Sequence, residues 1–107
     1  MTKYRSRDSF IDEAKELING DRASDYGDAY INHNNIAVGW TIIAKMAFEK
    51  NGNITASHVA LMMDWVKSCR LANKIESQDS WTDKVGYSAL GGEMSTKKSP
   101  ADQAGDI

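Results

Sequence analysis

The sequence predicts an all-α fold, a single four-helix bundle-like domain followed by a disordered C-terminal tail. Apolar residues recur at helical spacing through four stretches, and no stretch of any length alternates as a strand would. Breaker residues separate those stretches. One tryptophan falls in each of the last three, Trp40, Trp65 and Trp81, as expected of one shared core. With 107 residues, 41% of them apolar, the chain is one domain able to build that core without disulfides or metal.

The elements follow in order. Residues 1–8 form a polar arm. Ser9 caps a first helix reaching Asn19, with Asp12 in its first turn and Phe10, Ala14, Leu17 and Ile18 as its apolar stripe. Gly20 ends it and opens a polar connector, GDRASDYGD, whose Asp25 or Asp28 caps the second helix. That helix, from about Asp28 to Lys50, carries Ile36, Trp40, Ile43 and Ala47 on one face. Ile31, Val38 and Ile42 form a second strip, so it needs more than one neighbour. Asn51-Gly52-Asn53 breaks it.

The central helix, Ser57 to Ile75, is capped by Thr55 or Ser57 and is apolar almost all round, which predicts burial. After a short polar loop Asp79 opens a last helix to about Met94. There Gly86, Ser88, Ala89 and Gly92 predict close packing against another helix. The organisation is therefore an arm (1–8), an all-α domain (9–94) and a tail (95–107).

Composition excludes several functions. Thirteen basic residues against 15 acidic ones leave no cationic excess for a nucleic-acid backbone, so duplex binding is not expected. No apolar run approaches the ~18 residues of a membrane span, and the N-terminus lacks a signal-peptide core. The single Cys69, mid-helix, reads as a buried reduced thiol. These features predict a cytoplasmic protein.

Charges inside the central apolar helix carry the functional reading. Lys67 and Arg70 stand one turn apart among Met63, Val66 and Leu71, and such cations must be paired, reach solvent along their stems or meet an anion. A phosphate or carboxylate clamp is one reading, since arginine offers a planar fork and lysine a point charge. Pairing with Asp83 or Asp64 is the other. Asp83 shares a face with Gly86, Tyr87 and Leu90 and is expected to orient these cations. Arg22 and Tyr26 in the connector offer a guanidinium and a stacking ring, or merely cover the bundle end. His33, on the Ile36–Trp40 face, reads as a core histidine with one bonded nitrogen or as a ligand contact. No second His or Cys stands at zinc-ligand spacing.

Three stretches, DRASDYGDAYINHNNIAVGW, ITASHVALMMDWVKSCRLANKI and DSWTDKVGYSAL, resemble a family of small uncharacterised phage and prophage proteins over about residues 20–94. That family is distantly similar to nucleotide-modification-associated phage domains and to MazG-like nucleotide pyrophosphatases. The resemblance implies a helical, homo-oligomeric protein in the host cytoplasm, and in the pyrophosphatases Mg²⁺ held by clustered carboxylates. Here Glu13 and Glu16 supply one ExxE pair, but no acidic pair lies between Ala29 and Phe48, and Asp64-x-x-Lys67 sets a cation where a carboxylate belongs.

The sequence thus favours binding of a nucleotide or related phosphorylated small molecule by Lys67, Arg70, Arg22, Tyr26, Asp83 and His33. Such a protein would act by sequestering a nucleotide signal, without catalytic residue, metal or cofactor. One alternative is a Mg²⁺-dependent pyrophosphohydrolase using Glu13, Glu16, Asp64 and Asp83. Another is a phage-encoded inhibitor of a host protein.

Overall fold

A computed structural model describes residues 2–20 and 27–97. Among them are four α-helices and no strand: α1 (Arg7–Asn19), α2 (Ala29–Asn51), α3 (Ala56–Asn73) and α4 (Gln78–Thr96). The all-α class and the four helices are as the periodicity predicts.

Local chemistry sets the ends. Asp28 caps α2 by accepting from the Ile31 amide at 3.0 Å, and Gly52 ends it in the left-handed region at φ 80°, where a side chain would be strained. Thr55 caps α3 in a reciprocal box in which His58 takes the place usual for Glu or Gln: its Nδ1 accepts from the Thr55 amide at 3.1 Å. Two caps differ from expectation. Ser6, not Ser9, caps α1, accepting from the Ser9 amide at 3.2 Å, so the helix takes in the end of the arm. Ser77, not Asp79, precedes α4, and Asp79 lies in its first turn, where a carboxylate suits the helix dipole. Helix α4 runs to Thr96, and the rest of the expected tail, from residue 98, lies outside the described residues.

The helices pack in series, α2 on α3 and α3 on α4, while α1 packs against none of them. Reciprocal tryptophans join α2 to α3. Trp40 Nε1 donates to the Met62 carbonyl at 2.8 Å, and Trp65 Nε1 donates back to the Asn35 carbonyl at 3.0 Å. Gly39 makes the second bond possible, because any Cβ there would collide with the Trp65 indole. All three tryptophans lie at the edge of the packing rather than in a shared core, being 36–48% exposed. Each instead satisfies its N–H on a backbone carbonyl, Trp81 on Ile75 at 2.9 Å.

Burial is thinner than the sequence predicts. The buried apolar residues are Ala47, Ala60, Met62, Cys69 and Leu71, four of them on α3. Helix α3 is not buried all round: α2 and α4 cover two sides, and among the described residues Val59 and Leu61 stay about half exposed. Along α4 the close approach is at Gly91, where an added Cβ would stand 2.9 Å from the Ala60 Cβ. Gly86 and Gly92 face open space.

Candidate functional site

Between α3 and α4 the polar residues of both helices meet. Asp64, Lys67 and Ser68 occupy successive positions along one side of α3, and Asp83 and Lys84 come from the first half of α4. Lys84 Nζ donates to both carboxylate oxygens of Asp64 at 3.0 Å and to Ser68 Oγ at 2.6 Å. Lys67 Nζ pairs with Asp83 at 3.1 Å. Both lysines are mostly covered, with side chains 22% and 15% exposed, while Asp83 stays 45% exposed. Each covered ammonium group has a carboxylate in reach, as a charge held away from water requires.

Asp64 also lines an open groove of about 330 Å³, together with Ser57, Leu61, Tyr87, Ser88 and Gly91 among others. Small residues form its floor: Ala60 lies against Gly91, and Ser57 Oγ donates to the Gly91 carbonyl at 3.1 Å. The groove thus offers hydroxyls, one aromatic ring and, at one end, a carboxylate bound to an ammonium.

The sequence-derived candidates distribute unevenly. Lys67 and Asp83 come together as the ion pair that was one of the two readings of Lys67. Arg70 lies one turn beyond Lys67 on α3 and is half-buried. His33 is exposed on α2, not in a core, although its Nδ1 does bond the Ala29 carbonyl at 2.6 Å. Helix α2 does not touch α4, so His33 stands apart from the seam. Arg22 and Tyr26 lie outside the described residues. Gly27, which follows them, sits against the Asn73 side chain and so brings the chain to the end of α3 that bears Arg70.

The four carboxylates of the hydrolase alternative do not converge within the chain. Glu13 is held by Arg5 at 2.7 Å on α1, which packs on neither α3 nor α4; Asp64 and Asp83 are each engaged by a lysine. Among the described residues no three of His, Cys, Asp and Glu gather as a metal site would need. Cys69 is buried as expected, and that burial pushes its thiol pKa up, away from the reactive thiolate.

Sequence reasoning missed Lys84. Asp64 was read as a possible partner for cations on its own helix, but periodicity on α4 gave no sign that Lys84, beside Asp83, turns toward α3. An i to i+4 separation between Asp64 and Ser68 was the available signal, since it places two acceptors on one face.

Helices in series, a charged seam and a groove beside it define a small all-α protein. The chain belongs to the family described as a domain of unknown function (DUF6378), whose model matches residues 9–95. It is similar to the Gene 55 protein of Mycobacterium phage L5, at 38% identity over 82 residues that make up 77% of this chain and 49% of that protein. The chain therefore spans about half the length of that relative. No solved structure matches. No helix among the described residues is long and apolar enough to cross a membrane.

Proposed function

We propose that the protein binds a small phosphorylated ligand of the nucleotide class at the α3–α4 seam, and that it acts by holding that ligand rather than by transforming it. The observation that carries this reading is Lys84, covered and bonded to Asp64 and Ser68, with Asp64 itself lining the end of the groove. A phosphate carries more charge than a carboxylate and more acceptor oxygens, so it can replace Asp64 on the ammonium while Ser68 stays as a further donor. The groove beyond it has room for a base or sugar near Tyr87, with Ser57 and Ser88 as hydroxyl partners. Lys67, paired with Asp83, and Arg70 lie further along α3 as the next cations a longer phosphate chain would meet. Arg22 and Tyr26 join them in this reading from the connector.

The ligand class in this reading is the one implied by the sequence's resemblance to nucleotide-modification-associated and MazG-like domains. That resemblance does not supply the metal chemistry here, because Glu13, Asp64 and Asp83 are each engaged by a cation.

Titration calorimetry against adenosine monophosphate, adenosine triphosphate, a cyclic dinucleotide and inorganic pyrophosphate tests the proposal. Lys84→Gln is expected to weaken binding at least tenfold. Asp64→Asn is expected to tighten it, because the competing carboxylate is gone while the ammonium remains. A purely structural pair predicts the opposite, a loss of folding stability in both variants with no heat of binding in any. Silence from all four ligands with wild type and Asp64→Asn alike sinks the reading.

A further inference from the structure

We infer that a second copy of this chain covers the apolar faces of α1 and α2, so that the fold is completed between two molecules. Helix α1 has 13 residues and no contact with any other helix. Isolated helices of about that length are marginal in water, and their stability ordinarily comes from packing an apolar face. The face exists: Phe10, Ile11, Leu17 and Ile18 run down one side of α1, and all are exposed. Its tethers are local, with Arg5 bonded to Ser9 and Glu13 and stacked 4.1 Å from the Phe10 ring centre. Among the described residues no packing partner therefore explains why α1 holds its shape.

Helix α2 has the complementary excess. Its packed face carries Asn32, Gly39 and Ala47, the buried residues of that helix. Ile31, Val38, Ile42 and Met46 form a strip about 100° round the helix from that face, and each is 46–61% exposed. No charged residue interrupts this strip at those positions. From Ile31 to Met46 it spans roughly 22 Å, and α1 is about 20 Å long.

Eight such side chains, at roughly 100 Å² apiece, reach the about 800 Å² per partner that a stable specific interface takes. Seated α1 on α2 in both directions, two copies make two identical contacts about one two-fold axis and leave no open surface to extend. The single chain is also expanded, with a radius of gyration of 17.8 Å, against about 13 Å for a compact domain of this length. A copy of the same chain is the occupant because the missing cover belongs to the core itself: it is required whenever the protein is folded, whether or not a host protein is present.

Sedimentation velocity and light scattering on the full chain, from about 1 to 100 µM, test this. Mass at twice 11.8 kDa, or a closed even multiple of that pair, is expected. Ile42→Glu on α2 and Ile18→Glu on α1 are each expected to return the mass to one chain and to lower helical circular dichroism as α1 frays. Val85→Glu, on an exposed position of α4 outside both strips, is expected to leave the mass unchanged. A wild-type chain that stays single at every concentration overturns the inference, whatever the variants do, and shows α1 folding back on its own α2 or awaiting a foreign protein. A dimer indifferent to both Ile42→Glu and Ile18→Glu overturns it as well, because the contact then lies elsewhere. None of these masses depends on added nucleotide, so this result and the ligand titration stand or fall separately.

Discussion

The α3–α4 seam and the outer side of α1 and α2 differ in a way that sequence periodicity alone does not register. Along the seam every described charge has a partner, Gly91 lets Ala60 come close, and four of the five buried apolar residues belong to α3. On the outer side equally apolar strips have no cover among the described residues. Both regions follow the same three- and four-residue rhythm. What separates them is whether the connecting loop brings a second helix back alongside. The short turn between Asn73 and Gln78 does so for α3 and α4. The lesson is that an amphipathic pattern specifies that a face must be buried, not which molecule buries it.

Cavity-forming substitutions should break this contrast most sharply. Leu71 is 3% exposed, and Leu71→Ala is expected to cost about 2–5 kcal/mol. That loss should appear in chemical denaturation at every protein concentration. Ile42→Ala should by contrast show its loss only where copies associate, as a melting temperature that no longer rises with concentration. Equal behaviour of the two variants would erase the distinction between seam and outer side.

Gly39→Ala comes next, since its methyl collides with the Trp65 indole that bonds the Asn35 carbonyl. Overpacking of this kind costs about 1–3 kcal/mol. Tryptophan fluorescence should shift to longer wavelength as the indole is displaced. An unshifted spectrum and unchanged melting temperature would mean that α2 and α3 are not held by these reciprocal tryptophans.

Much of this was legible beforehand, and what was not has physical reasons. Asp28, Thr55 and Gly52 act as caps and terminator because capping depends on a few adjacent residues. The Lys67–Asp83 pair was foreseeable because covered charges demand partners. Lys84 and the reciprocal tryptophans were not, since each depends on the register between two helices. The part of His58 in the Thr55 box was not legible either, because it needs the ring geometry. The expected burial of α3 on every side overreached, for the pattern counted apolar residues and could not count neighbours.

Cys69 gives a smaller effect that also separates inside from outside. Burial raises its thiol pKa in the folded chain, so above the ordinary thiol range the unfolded chain binds fewer protons than the folded one. Stability should therefore fall as pH rises from about 8 to about 10, and this contribution should be absent at lower pH. Cys69→Ala should flatten that slope in melting curves taken across the range. In the folded wild type, a thiol reagent should react slowly until denaturant is added.

The smallest effects are expected on α4, where three glycines of one helix should respond differently to the same methyl. Gly86 and Gly92 face open space, and neither has a positive φ, so Ala at either restricts only the unfolded chain. Each should stabilise the protein by about 0.4–1 kcal/mol. Gly91→Ala brings the same entropic gain but sets its Cβ 2.9 Å from that of Ala60, on backbones that cannot swing aside as a long side chain would. The net sign there should be destabilising, because separating α3 from α4 at that point also strains the Ser57 bond to the Gly91 carbonyl. Melting temperatures of the three single variants suffice to decide. If all three rise together, α4 does not lean on α3 through Gly91 and the groove beside it has no fixed floor. If Gly86→Ala or Gly92→Ala falls with Gly91→Ala, those positions are covered by something outside the chain, and the uncovered surface extends onto α4 as well.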